Sequence, residues 1–265
     1  MHLQLAEDTF SMSRPATVSQ GGIVGASPTA RIFRSVRGAE LSPVLWLAMP
    51  IAILLSPYLT KNFTPDFFHN YMNGEQGVIE NLTVVLLVAA IGYGIAAWRR
   101  AAVYPAAWFK TWIALFVLGC IYYAGEEISW GQHYLHWSTP SYWQAINDQN
   151  ETNLHNTGLI FDQIPRNLLT LAALVGGVIA PAFVRPRRNW RPDQIQDWLW
   201  PTYVCIPSAF LAVVIQLPAK AFKAAGTDLP DAFNIVEGEL KECLLAAFLL
   251  TYIASVAVRA KKHAR

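Results

Sequence analysis

The chain has 265 residues, of which 54% are hydrophobic and 14% are charged, against about 25% charged in an ordinary soluble domain. A net charge of only +2 gives no support for a nucleic-acid partner, because such binding depends on clustered basic residues that neutralise phosphates. The apolar residues are gathered in blocks of about 20, the length that a helix needs to cross hydrocarbon, so an ordinary soluble globular fold is excluded.

The first 40 residues differ in kind from the rest, because Ser, Gly, Thr and Arg dominate them. No apolar stretch of signal-peptide length precedes the first apolar block. We therefore expect residues 1–40 to form a disordered cytoplasmic tail. A transmembrane domain of residues 41–259 and a short basic cytoplasmic tail of residues 260–265 are expected to follow.

Six apolar blocks predict six transmembrane helices, at residues 43–60, 78–97, 107–126, 165–184, 200–217 and 239–258. Pro50, Pro201 and Pro207 interrupt the first and fifth blocks, which membrane helices tolerate where neighbouring groups satisfy the freed backbone. The predicted fold is therefore an all-α polytopic membrane helix bundle, with membrane lipids as its immediate partners.

Basic residues are divided unevenly between the two faces of this six-span arrangement. Fifteen of the twenty Lys and Arg fall on one face, and the other face has Lys61, Arg166, Lys220, Lys223 and Lys241. The positive-inside rule then places both termini in the cytoplasm of a bacterial inner membrane. Thirteen of the eighteen acidic residues face outward in the same arrangement.

Several carboxylates lie at the outward ends of the spans, where hydrocarbon begins. A charge at that depth is costly unless it is paired, hydrated or bound to a cation, so each is a candidate functional group. The predicted catalytic acids and bases are Glu80, Glu126, Glu127 and Glu242. Glu75 lies near Glu80 at the start of the second span. Glu126 and Glu127 end the third span, where the helix dipole disfavours negative charge. Another group must therefore hold them.

The segment from Glu126 to about Asp162 is too polar to cross a membrane and is rich in Trp. Unstructured loops of this length are uncommon in compact domains and are usually functional. Trp side chains favour the membrane interface, so we expect short interfacial helices here, on the outer face. The same aromatic surface is a candidate docking site for a protein partner.

Helical spacing in this segment gives two candidate stripes of ligands. Continuing the third helix would place Glu126 and His133 on one face, and Asn147, Glu151 and His155 form a second stripe spaced by four. Imidazole and carboxylate ligands suit zinc, iron or manganese, so we predict a divalent-metal site formed by His133, Glu151 and His155. The alternative for the pair of Glu151 and His155 is a plain hydrogen bond between residues four apart.

Two other groups have simpler interpretations. Glu237 and Lys241, also four apart, predict an exposed salt bridge. The cysteines, Cys120, Cys205 and Cys243, lie within predicted spans at no paired spacing. They are expected to be buried thiols rather than disulfides or metal ligands.

Two strings in the outer segment resemble motifs of an uncharacterised family of bacterial polytopic inner-membrane proteins. They are Gly-Glu-Glu-Ile-Ser-Trp-Gly-Gln at 125–132 and Glu-Thr-Asn-Leu-His-Asn at 151–156. The acidic start of the second span, from Glu75 to Glu80, is similar to that family too. The resemblance covers roughly residues 45–255. It implies a shared site and no particular reaction.

Three functions are consistent with these residues. The first, which they favour, is a metal-dependent hydrolase or transferase that acts on a lipid or lipid-linked substrate in the outer leaflet, where the metal would lower the pKa of water towards about 7. The second is a non-catalytic subunit or assembly factor of a membrane complex, with a cofactor or partner bound at the Trp-rich segment. The third is a cation or proton transporter, which intramembrane carboxylates also indicate. No acidic residue lies midway through a span, which disfavours the transporter.

Overall fold

The computed structural model describes residues 40–72, 76–184 and 190–264, without the side chains of His133, Leu159 and Asp162. The predicted tail up to residue 39, Glu75 and the side chain of His133 therefore lie outside the described residues. Across the described ranges the chain is helical and contains no β-strand, which confirms the predicted all-α class.

Among the described residues, six helical segments are long and apolar enough to cross a membrane, which confirms the prediction of a multi-pass membrane protein. They are α1 (Val44–Phe63), α2 (Val78–Trp98), α3 (Trp108–Glu127), α4 (residues 159–184), α5 (Ile195–Ala224) and α6 (Glu237–His263). Short helices at Gln132–Leu135 and Ser141–Ile146 lie between α3 and α4, as the Trp-rich segment predicted.

Proline residues account for the irregular parts of these helices. Wide π-helical turns occupy Val44–Ala48, just before Pro50, and Ala173–Val184, which contains Pro181. A proline has no N–H to donate to the preceding turn, so the regular hydrogen-bond ladder is interrupted there. Helix α5 is likewise broken into short pieces around Pro201 and begins earlier than the sequence predicted.

Helix α6 lies in the middle of the bundle. In its most apolar stretch 89% of the positions are buried, against at most 33% in the other five spans. It packs mainly against α2, which packs in turn against α3, and α5 and α4 cover another side. Other helices of the bundle, rather than lipid, therefore cover most of the apolar surface of α6.

Two glycines let the helices approach closely. A Cβ atom added to Gly94 of α2 would lie 2.4 Å from Cγ2 of Val117 in α3. One added to Gly177 of α4 would lie 2.5 Å from Cβ of Ala209 and 2.7 Å from the ring of Phe248. Small residues at such crossings allow membrane helices to pack backbone against backbone.

The two ends of the bundle differ in chemistry. At one end, which we call the loop end, the connections after α1, α3 and α5 meet, and Lys61 pairs with Asp231 at 2.9 Å. At the other, the basic end, Arg259 of α6 donates a hydrogen bond to the main-chain carbonyl of Asp197. The described acidic residues predicted as a site all belong to the loop end.

The substitution Gly177→Ala is expected to lower the free energy of unfolding by about 1–3 kcal/mol, because the added methyl group overlaps Ala209 and Phe248. Gly176→Ala is the matched control, since a Cβ atom there would lie 3.6 Å from Pro201, an ordinary contact. Thermal unfolding in detergent, followed by circular dichroism, measures both. Equal midpoints for the two variants would contradict the close approach of α4 to α5 and α6.

Candidate functional site

The Glu126 carboxylate, at the C-terminal end of α3, is buried and surrounded by donors. The indole Nε1 of Trp130 donates to Oε1 at 2.7 Å, and the backbone N–H groups of Leu154 and His155 donate to Oε2 at 2.7 and 2.9 Å. The Nδ1 atom of His155 lies 3.6 Å from the same Oε2. Oriented N–H groups stabilise a buried carboxylate strongly. These donors offset the unfavourable interaction between the Glu126 carboxylate and the helix dipole, as expected from the sequence.

The chain turns sharply after α3. Ser129, Trp130 and Gly131 have φ values of 46°, 56° and 103°, and such left-handed conformations cost roughly 1–3 kcal/mol for residues other than glycine. The turn brings the Trp130 ring across Gly125, where an added Cβ atom would lie 2.9 Å from the ring. Because α3 ends in this turn, the predicted continuation of the helix to residue 133 is wrong.

Glu151 is the centre of a second polar cluster. Its Oε2 accepts hydrogen bonds from Ser129 Oγ at 2.7 Å and from Asn153 Nδ2 at 2.6 Å, with Asn156 Nδ2 at 3.4 Å. Asn147 Nδ2 donates to Asn153 Oδ1 at 2.8 Å. These groups are satisfied by one another, which is what burial of polar side chains requires.

The two sequence motifs are therefore hydrogen-bonded to each other. Besides the contacts of Glu126 and Ser129, Gln132 Oε1 accepts from the backbone N–H and the hydroxyl of Thr152, at 2.8 and 2.9 Å. These bonds join residues 125–132 to residues 151–156. We call the two joined segments the polar clasp.

The predicted helical stripe of Asn147, Glu151 and His155 is not formed. The short helix ends at Ile146, and only at His155 does a single turn of 3-10 helix begin. The physical reason is Asn147, whose Oδ1 accepts the backbone N–H groups of Gln149 and Glu151, each at 3.0 Å. Such local bonds from an Asn side chain replace the hydrogen bonds of a helix.

Of the three predicted metal ligands, His155 lines a cavity, described below, whereas Glu151 is bonded within the polar clasp. The side chain of His133 lies outside the described residues. In the part of the chain that the structure describes, no three His, Cys, Asp or Glu side chains are grouped to hold a metal ion. The divalent metal stays a prediction.

A cavity of about 280 Å³ opens between α3, α4 and α6 at the loop end. Towards the loop end its wall is polar, with Glu126, Glu127, His155, Arg166 and Glu242. Further along the same helices the wall is apolar, with Phe116, Leu169, Leu245 and Leu249. The cavity is thus amphipathic along the direction of the helices.

The polar wall carries opposing charges. Arg166 Nη2 of α4 pairs with Glu242 Oε1 of α6 at 2.8 Å. Glu127 has Glu242 and Glu80 as acidic neighbours and Arg166 as a basic one. Glu80 also accepts the backbone N–H of Gln76, which closes the turn before α2. Of the predicted acids, Glu126, Glu127 and Glu242 therefore line the cavity, and Glu80 is an electrostatic neighbour of Glu127.

Lys241 differs from its prediction. Its side chain is 6% exposed, and its Nζ atom lies 3.5 Å from Gln216 Oε1 of α5, so the predicted exposed salt bridge with Glu237 is wrong. Lys220 and Arg166 are its basic neighbours. Sequence reasoning missed Arg166 and Lys241 as site residues. One sequence signal could have identified them. Both belong to the five basic residues on the outward face, where basic residues are rare.

No protein family, no curated protein and no solved structure matches the chain. The resemblance of the two clasp motifs to an inner-membrane family stays a prediction. The interpretation of the cavity accordingly depends on its own geometry and chemistry.

Asn153→Ala is expected to destabilise the polar clasp by about 1–3 kcal/mol, because it leaves buried hydrogen-bonding groups of Ser129, Asn147 and Glu151 with fewer partners. Amide hydrogen exchange of peptides covering residues 128–157 should then be faster. Asp148→Ala, an exposed residue of the same segment, is the matched control. Unchanged exchange in the Asn153 variant would show that the clasp does not hold the segment.

Proposed function

We propose that the protein belongs to a bacterial inner membrane, with both termini in the cytoplasm, and acts as a hydrolase or transferase on a lipid or lipid-linked substrate. Six apolar helices and the fifteen basic residues on one face support this location and orientation. The observation that carries the proposal is the combination, in one cavity, of an imidazole–carboxylate pair with an apolar wall.

The shape of the cavity supports an amphiphilic substrate. Its polar end lies where a headgroup would reside, and its apolar wall follows α3, α4 and α6 into the membrane-spanning region. The volume of about 280 Å³ is at the lower limit of pockets that enclose whole ligands, about 300–1,000 Å³. It therefore suits one end of a lipid, with the rest of the molecule outside the cavity.

His155 is the proposed general base. Its Nδ1 atom faces Glu126, which leaves Nε2 on the opposite edge of the ring, and His155 lines the cavity. A carboxylate behind an imidazole orients the ring and stabilises the imidazolium that forms when Nε2 takes a proton. The proton would come from water in a hydrolase, or from a hydroxyl group of an acceptor in a transferase.

Glu127 and Arg166 have complementary proposed roles. Glu127 lines the same wall and provides a second acid–base group. Arg166 is held by Glu242 at 2.8 Å and presents a fixed positive charge to the cavity. A charge fixed in advance stabilises negative charge that develops on the reacting group.

A divalent metal remains part of the proposal. His155, Glu127 and Glu242 are side chains of the types that zinc, iron or manganese binds and all three line the cavity, but they are not grouped around one point as the ligands of a single ion. Such an ion would supply activation of a bound water. The acid–base roles of His155 and Glu126 do not require it.

Replacement of His155 by Ala is expected to lower turnover by about 10²–10⁴-fold, since a general base contributes that much. Glu127→Gln should lower it as well. His69→Ala, an exposed histidine at the loop end, is the control and should retain full activity. The measurement is mass spectrometry of inner-membrane lipid extract incubated with the reconstituted protein. If the wild-type protein converts no lipid in the extract, the enzymatic proposal fails.

Elemental analysis of protein purified without chelators is expected to find about one zinc, iron or manganese ion per chain. The metal content should fall in Glu127→Ala and His155→Ala and stay unchanged in Glu237→Ala, because Glu237 does not line this cavity. A wild-type protein without metal would remove the ion from the proposal and leave the acid–base pair.

A further inference from the structure

Three cations from α4, α5 and α6 are electrostatic neighbours, and one of them, Arg166, lines the polar wall of the cavity. Lys241 belongs to the first turns of α6, Lys220 to α5 and Arg166 to α4, and both Lys220 and Arg166 are charged neighbours of Lys241. We call these three residues the cationic seam. Arg166 also lines the cavity, so the seam and the cavity share one residue.

Lys241 has too little negative charge around it for its burial. The side chain is 6% exposed, and in the described part of the chain its ammonium contacts only the neutral amide of Gln216, at 3.5 Å. Of its three charged neighbours two are basic, and the acidic one, Glu242, is already paired with Arg166. A buried ammonium in such surroundings is costly unless an anion compensates it.

The charged neighbours of Glu127 differ in sign from those of Lys241. The neighbours of Glu127 are mostly acidic, namely Glu80, Glu239 and Glu242 beside Arg166. The neighbours of Lys241 are mostly basic. Arg166 and Glu242 are neighbours of both Glu127 and Lys241. An anion would therefore be attracted to the side of Lys241 and repelled from the side of Glu127.

We infer that the cationic seam binds a phosphate group, and that the ligand of the cavity is a phosphorylated amphiphile. This inference rests on the proposed function and narrows its substrate class. A phosphate monoester carries about −1.5 to −2 charges at neutral pH and three acceptor oxygens, which match one guanidinium and two ammonium groups. With its phosphate on the seam, the molecule would place its apolar chain along Leu169 and Leu245.

Binding of two lipids to the full-length protein in detergent tests the inference. The probes are phosphatidic acid and diacylglycerol with the same acyl chains, and inorganic phosphate is the third probe. Wild-type protein is expected to bind phosphatidic acid at least tenfold more tightly than diacylglycerol, since a charged hydrogen bond contributes about a factor of ten or more. Native mass spectrometry measures the dissociation constants.

Variants locate the effect on the seam. Lys241→Gln and Arg166→Gln are each expected to reduce the preference for phosphatidic acid about tenfold, whereas Lys241→Arg should retain it. Lys223→Gln is the matched control, because this lysine is exposed on the same helical segment as Lys220. Lys220→Gln is a further seam variant. It should also reduce the preference for phosphatidic acid, and because Lys220 is exposed it leaves the interior unchanged.

The outcomes separate the two proposals. Equal binding of both lipids by wild-type protein overturns the phosphate site and leaves the amphiphile cavity standing. Binding of neither lipid overturns both. An equal loss of preference in Lys223→Gln overturns the site in favour of general surface charge. Inorganic phosphate that binds as tightly as phosphatidic acid, and no longer binds to Lys241→Gln, would assign the seam to phosphate free of a lipid chain and overturn the phosphorylated amphiphile.

Discussion

The loop end of this protein depends on the hydrogen bonds that the Glu126 carboxylate accepts. One carboxylate fixes the Trp130 indole, two backbone N–H groups and the orientation of an imidazole. A negative charge at the C-terminal end of a helix is unfavourable by itself. Two of the donors that offset it, the backbone N–H groups of Leu154 and His155, come from a segment 28 and 29 residues further along the chain. The same contact therefore closes the segment between α3 and α4 and sets His155 on the cavity wall.

Adjacent residues Glu126 and Glu127 have different surroundings because successive side chains on a helix point about 100° apart. Glu126 is directed into the polar clasp, whereas Glu127 meets the other charges of the cavity. The clasp is a buried network in which donors and acceptors are paired, and such networks hold a single arrangement. Its strained turn at Ser129 and Trp130 is maintained by that network.

The sequence was sufficient to predict the six spans, because apolar blocks of about 20 residues seldom occur outside membrane helices. It also correctly predicted that Glu126, Glu127 and Glu242 lie at the same end of the bundle. It was not sufficient for the segment between α3 and α4. There the prediction assumed helical spacing, while three successive left-handed residues and the side chain of Asn147 redirect the chain. Periodicity carries no information about such turns, so the partners of Glu151 were not predictable.

Lys241 shows that helical spacing does not predict burial. Spacing by four correctly identifies which residues share a helical face, but not whether that face is exposed. Because α6 is enclosed by its neighbours, Lys241 is buried and turned towards α5. The cationic seam is formed by residues from three helices, and only the tertiary packing brings them together.

The central position of α6 also constrains how the protein assembles. Helices α1 to α5 precede it along the chain, so they leave the ribosome and enter the bilayer first. Until α6 arrives, the faces of α2, α4 and α5 that it will cover must be occupied by lipid or by one another. The packed bundle can therefore be completed only when the sixth helix is in place.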